Sequence, residues 1–369
     1  MKYLFINSLA GTGSTGRIVA DKCRELMAQG HECLIAYGRE EKNCQDIPTM
    51  RIGSVWDVRA HALTSRILDT SGFGSRAVTK RLLGRIREYD PDVIWMHNIH
   101  GYYLHVGLLF DYLRTCGKPI YWTLHDCWSF TGHCAYFDYA GCDRWKTGCH
   151  HCPEKKVYPA SILLDGSRRN YARKKALFSG VPNLTLITPS QWLADLVKES
   201  YLREYPVQVV HNTINTDIFR PTPGDFREKW GLEGKIMLLG VASVWDARKG
   251  LQDFLELAGM LDERFQIVLI GLNPSQIASL PKGILGLPRT DNLEQLVQAY
   301  SAADLFLNPS AEETFGMTTL EARYCGTEAV VYRDTACEEI VHQFGGVAVP
   351  KGAQNLYQAV MELTGKGAI

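Results

Sequence analysis

The chain has 369 residues, 46% of them hydrophobic and 22% charged, which at ~100–200 residues per domain leaves room for two domains with cores of their own. Lys+Arg and Asp+Glu both number 40, so neither a uniformly basic nucleic-acid coat nor an acidic disordered tail is expected. The balance conceals an asymmetry: residues 1–211 hold 27 basic and 20 acidic side chains, a net +7, and residues 212–369 hold 13 and 20, a net −7.

From the N-terminus, Met1–Asn7 offers too short an apolar run for a signal peptide. Tyr3–Asn7, Cys33–Tyr37, Val93–His97, Ile120–Leu124 and Leu184–Thr188 are short apolar runs mostly bounded by Gly, Pro, Asp or Asn, the pattern of buried parallel strands. Arg17–Gln29 and Val78–Tyr89 repeat apolar residues at three- and four-residue spacing and are expected to be covering helices. Between the first strand and first helix, Gly11, Gly13 and Gly16 spell G-x-G-x-x-G. No convincing ribose-binding acid follows the second strand, so a nicotinamide site is not expected.

The longest uncharged stretch, Val93–Phe110, contains His97, Asn98, His100 and His105 and makes a poor membrane span. A soluble, cytoplasmic chain is therefore expected. Eleven cysteines then read first as thiols or metal ligands. Five crowd into 127–153, where Cys134-x7-Cys142-x6-Cys149-x2-Cys152 could close a structural zinc site, with His133, His150 and His151 as alternative ligands. Disulfides and packed, unligated thiols are the other readings. The basic run Arg168–Lys175 reads as a solvated face, or as a contact for anionic head groups.

Polar, proline-punctuated residues 209–223 look like a linker, after which strand signals restart at Met237–Val241, Phe265–Ile270, Leu305–Asn308 and Ala329–Tyr332. The expected organisation is an N-terminal domain over 1–208, the linker, and a C-terminal domain over 224–369. Each is α/β, Rossmann-like and doubly wound, and the two face a cleft. In Asn308–Ala322, Glu313 and Glu321 stand eight apart with Phe315-Gly316 between them, where a strand gives way to a helix. The helix N-terminus suits a diphosphate, and the two carboxylates suit sugar and ribose hydroxyls.

This segment resembles the nucleotide-sugar signature of retaining glycosyltransferases of the GT-B fold, family 4, in which a Glu is followed by Phe-Gly and, after seven residues, by a second Glu. Gly240–Gly250 is similar to the family's strand, loop and Lys-Gly turn. Asn212–Pro221 resembles its inter-domain linker, and His125-Asp126 stands where the family places a His-Asp. Some polysaccharide-assembly members carry a similar Cys-rich insert, here at about 127–153.

The resemblance implies transfer, with retention, of a sugar from a nucleotide diphosphate sugar to a hydroxyl of a glycan or lipid-diphosphate-linked glycan. The setting would be bacterial surface polysaccharide synthesis, at the inner face of the membrane. It implies catalytic roles for His125, Glu313, Lys249 and Arg248, the two cations offsetting leaving-group charge. Arg248 fills in for an Arg that the family has near Ser243. Implied donor contacts are Gly13, Gly16, Ser243, Arg248, Lys249, Glu313, Thr314, Phe315, Gly316, Met317 and Glu321. Arg17, Asn98, His100 and Tyr102 fall on the acceptor side. No catalytic cofactor and no nucleic-acid partner is expected, while an anionic membrane surface is a candidate partner. A sugar-nucleotide epimerase and a non-catalytic, zinc-ordered GT-B binding module are the alternatives.

Overall fold

The computed structural model describes residues 1–365, which form two compact units dividing between His211 and Asn212. In the first, strands β1 (Lys2–Ala10), β2 (Glu32–Glu41), β3 (Thr49–Arg51), β4 (Val93–Met96), β5 (Ile120–Thr123), β6 (Leu184–Thr188) and β7 (Val207–Val209) make one sheet in the order β3-β2-β1-β4-β5-β6-β7. In the second, β8 (Ile236–Val241), β9 (Phe265–Ile270), β10 (Ile284–Leu287), β11 (Leu305–Asn308), β12 (Glu328–Tyr332) and β13 (Val347–Val349) run β10-β9-β8-β11-β12-β13. Every pairing is parallel. This is the doubly wound α/β architecture expected, once per unit. The apolar runs sit at the sheet centres because helices cover both faces: Leu4, Phe5, Ile6, Leu238, Leu239 and Val268 are completely buried.

Chain order reverses beside β1 and beside β8, so each sheet has a crevice at the carboxyl ends of those strands and their neighbours β4 and β11. The loops after β1, β4, β5, β8 and β11 therefore gather the chemistry. Asn215 to Arg220 belongs with the second unit, where Phe219 is a core residue and Gly326 packs near Pro221.

Two elements differ from expectation. The first helix starts at Gly13 rather than Arg17 and runs to Ala28. Gly11, at φ +62°, turns the chain tightly into it, and its amide donates to the Gly16 carbonyl at 3.0 Å. A Cβ at Gly11 would lie 1.9 Å from the Lys42 carbonyl oxygen. The basic run forms the helix Ser167–Phe178, but it is not simply a solvated face. Lys174 is buried, donates to the Trp128 carbonyl and lies 3.8 Å from the Trp128 ring centre, while Arg173 packs 3.8 Å from that of Phe73. Burial pushes the Lys174 ammonium down to about 7.

Candidate functional site

In the second unit the Lys-Gly turn is set by close packing. Gly250, at φ +73°, lies against Pro309, where a Cβ would meet the Pro309 carbonyl oxygen at 2.3 Å. That contact brings the loop after β8 onto the loop after β11. The Asp246 carboxylate accepts from the Lys249 amide at 3.1 Å and caps the turn. The Ala311 amide donates to the Arg248 carbonyl at 2.8 Å, and Arg248 Nη1 donates to the Glu312 carbonyl at 2.8 Å. Lys249 Nζ donates to Glu313 Oε2. Burial works to raise the Glu313 carboxyl, but Lys249 and Arg248 hold it below the usual carboxylate range, so it stays ionised.

The helix Met317–Tyr324 opens at Gly316, at φ +90°, where a Cβ would come within 2.5 Å of Cys337 Sγ. Phe315 is buried against Leu320 and Ile340 and pins this helix start. Thr314 is also buried, Met317 is half-buried and Ser243 is exposed. Glu321 is buried and accepts from the Tyr300 hydroxyl at 2.9 Å. Arg248, Lys249 and Glu313 thus converge beside a helix N-terminus. Two parts of the arrangement were not foreseen: Tyr300, which orients Glu321 from another helix, and Cys337, which closes around Gly316. Neither leaves a local signal, because each reaches the site through tertiary packing.

In the first unit a small pocket is lined by His97, Asn98, His100, Thr123, His125 and Asp126, with Trp122 and Trp128 as apolar walls. Ring nitrogens of His97 and His125 lie 3.0 Å apart, and the rings stack at 5.3 Å between centres. Burial pushes His125 down to about 4, with Asp126 opposing, and drives His97 well below the ordinary histidine value too, so both rings are neutral near pH 7. His100 contacts Asp126 at 2.8 Å and shares a hydrogen bond with the Tyr158 hydroxyl at 3.2 Å. Burial works to raise the Asp126 carboxyl, yet His100 and the Trp128 amide hold it low. The Asn98 amide donates to Asn7 in β1 at 3.2 Å.

His125, Asn98 and His100 are therefore brought together. Tyr102 and Arg17 do not line this pocket; Tyr102, at φ +70°, instead meets the edges of His61 and Tyr158. Gly13 opens the first helix, and Gly16 is buried against Leu9 inside its first turn.

Among the described residues no three His, Cys, Asp or Glu side chains are disposed to hold a metal ion, and none of the eleven cysteines is in a disulfide. Cys134 and Cys152 share a hydrogen bond, Cys149 Sγ accepts from the Gly132 amide at 3.1 Å, and Cys142 packs partly buried on the core. Aromatic packing helps order the segment: Trp145 lies 4.7 Å from Phe137 and 5.3 Å from Phe130, ring centre to centre. His133 is committed to a fully buried contact with Asp69 at 2.7 Å, and the Asp69 carboxylate raises it above the ordinary histidine value despite burial.

Residues 15–218, just over half of the chain, match the profile of Glycosyltransferase Family 4, and residues 235–366 match that of Glycosyl transferases group 1. A putative colanic acid biosynthesis glycosyl transferase of Escherichia coli K12, WcaC, is 25% identical over 95% of this chain and 87% of its own length. The sucrose-phosphate synthase of Thermosynechococcus elongatus superposes with a TM-score of 0.72 at 15% identity, covering 99% of this chain and 90% of that one. Anabaena HepE in complex with UDP-glucose gives 0.65 at 15% identity, over 99% of this chain and 91% of its own. At these identities the structural likeness shows the fold, which is GT-B.

Proposed function

The chain belongs to glycosyltransferase family 4, and from that premise we propose that it transfers a sugar, with retention, from a nucleotide diphosphate sugar to a hydroxyl of a glycan or lipid-linked glycan in bacterial surface polysaccharide synthesis. The convergence of Lys249, Arg248 and ionised Glu313 beside the Gly316 helix start carries this reading. A diphosphate placed there meets two cations and the positive end of a helix, which offset the charge that grows as the nucleotide leaves. Glu313 and Glu321 accept from sugar and ribose hydroxyls. His125, neutral near pH 7, offers a sugar a hydrogen bond rather than a charge. No metal is called on for departure of the diphosphate. UDP-glucose bound to a protein of the same fold and the colanic acid assignment of the Escherichia coli relative support a nucleotide sugar donor and a polysaccharide setting. The +7 balance of the first 211 residues suits an anionic membrane surface on the cytoplasmic side and an acceptor carrying phosphate.

A thermal-shift screen of nucleotide sugars tests the donor. One present at about 100 times its Kd should stabilise the chain by ~2.7 kcal/mol. Lys249→Ala should weaken that ligand by about 10- to 150-fold, the loss of one charge-assisted hydrogen bond. Epimerised donor formed without acceptor would replace the transferase reading with an epimerase. Unchanged biological output from Lys249→Ala and Glu313→Ala would leave a binding module.

A further inference from the structure

The helix Val55–Leu68 is built inside out. Its buried residues are His61 and Ser65, both polar. Its outer face carries Trp56, Leu63 and Ile67, at i, i+7 and i+11, with Trp56 73% and Leu63 61% exposed. A helix folded onto a soluble core shows the reverse arrangement, an apolar stripe inward and polar residues outward. The stripe continues onto a second segment. The Ile162 amide donates to the Arg66 carbonyl at 2.6 Å and the Leu164 amide to the Ile67 carbonyl at 3.2 Å. Ile162, Leu163 and Leu164 are thereby held along the last turn of the helix, with Ile162 67% and Leu163 64% exposed. Ser161 Oγ donates to the Leu164 carbonyl at 2.6 Å, fixing the loop from inside. Six large apolar side chains on two hydrogen-bonded segments form one exposed patch, the kind that marks an interaction surface.

The charges around the patch select its occupant. Arg59, exposed, stacks over Trp56 at 5.0 Å, and Arg66, also exposed, stands in the last turn of the helix. Arg169 donates to the Leu68 carbonyl at 2.9 Å, and Lys155 Nζ to that of Leu163 at 3.3 Å, so cations flank both segments. A twofold dimer through this face would bring these cations toward their own copies, which opposes self-association. Exposed Trp and Leu beside Arg on a helix face, in a unit carrying +7, is the chemistry of an interfacial helix on anionic lipid.

We propose that the outer face of the helix Val55–Leu68, together with Ile162–Leu164, docks on the surface of an anionic phospholipid bilayer. The proposal rests on the reading above that sets the reaction at a membrane, and it names the surface that meets it. The position fits a lipid-linked acceptor. The loop that presents Ile162–Leu164 also supplies Tyr158, whose hydroxyl bonds His100 of the pocket, so the docking surface and the pocket are joined through one short segment.

Flotation with phosphatidylcholine vesicles, with and without phosphatidylglycerol, tests it. The full chain should float with the phosphatidylglycerol vesicles and poorly with the neutral ones. Leu63→Glu combined with Leu163→Glu should lower partitioning at least about tenfold. Arg59→Gln combined with Arg66→Gln should lower it by about 30-fold on anionic vesicles and hardly at all on neutral ones. All four side chains are exposed, so both variants should keep the wild-type circular dichroism and bind donor nucleotide sugar unchanged. Vesicle binding that survives both double substitutions overturns the proposal, as does no binding by the wild-type chain. A wild-type dimer that Leu63→Glu dissociates would make the face a subunit contact and overturn it too. Failure to bind any nucleotide sugar, with vesicle binding intact, would sink the donor reading and leave this surface standing.

Discussion

His61 holds the helix Val55–Leu68 to the first unit, and acid should release that hold. The ring is 3% exposed; its Nε2 accepts from the Gly74 amide at 3.0 Å, and Nδ1 lies 2.9 Å from Ser75 Oγ. Accepting from Gly74 leaves Nε2 bare and the ring neutral, with the proton on Nδ1, and the Thr70 carbonyl, at 3.4 Å from Nε2, only partly offsets the cost of protonating it. Burial pushes the ring from the ordinary 6.5 down to about 4. A histidine depressed in the folded state contributes its full stability above 6.5 and loses it as pH falls from there toward 4. Between about pH 7.5 and about pH 5 the loss from this one ring is ~2 kcal/mol. Urea unfolding followed by tryptophan fluorescence reports chiefly on this unit, because six of the chain's eight tryptophans lie before residue 211. His61→Gln removes the titration, so the acid loss in wild type minus that in the variant isolates His61 from every other group, including the buried His125. Equal acid losses in the two proteins, or an NMR titration of His61 centred near 6.5, would refute the reasoning.

Asp69→Ala should cost the first unit ~3–5 kcal/mol in the same urea assay, because it strands His133 and the Gly166 amide, each now 2.7 Å from an Asp69 carboxylate oxygen. Asp69→Asn, suited to the φ of +53° and still able to accept from Gly166, should cost clearly less. Gly316→Ala should cost ~1–3 kcal/mol and weaken nucleotide-sugar binding measured by calorimetry, since φ is +90° and the new Cβ would meet Cys337 Sγ at 2.5 Å. Gly259→Ala, at a helix end with φ −74° and its nearest contact at 3.4 Å, is the neutral control.

What the sequence disclosed follows the physics of burial. Central strands such as Val93–Met96 are covered on both faces and appear as unbroken apolar runs. The edge strands Thr49–Arg51 and Val207–Val209 have three residues each and are broken by polar ones. The helix Val55–Leu68 showed no clear stripe because its apolar residues are spread around it, with Val58 against the core and Trp56, Leu63 and Ile67 facing out. At the site, Lys249, Glu313 and Gly316 were legible because each sits in a short motif at a strand end, and the turn chemistry that places it is local. Tyr300 and Asp69 meet their partners across 21 and 64 residues, distances at which spacing carries no information. The cysteine spacing raised the expectation of zinc but gave no sign that Trp145, packed between two phenylalanines, helps order that segment.

Lys249 resting on Glu313 has a consequence for what the second unit will accept. A bare anion that draws Lys249 to itself leaves an ionised, enclosed carboxylate with less compensation, and that penalty cancels much of what the anion gains. A ligand that brings a hydroxyl along with its diphosphate gives Glu313 a new donor as it takes the lysine away, so both halves of the pair change partners at once. The resting ion pair thus acts as a coincidence test. Phosphate and chloride, abundant in any cell, satisfy one condition, and a sugar joined to a diphosphate satisfies both.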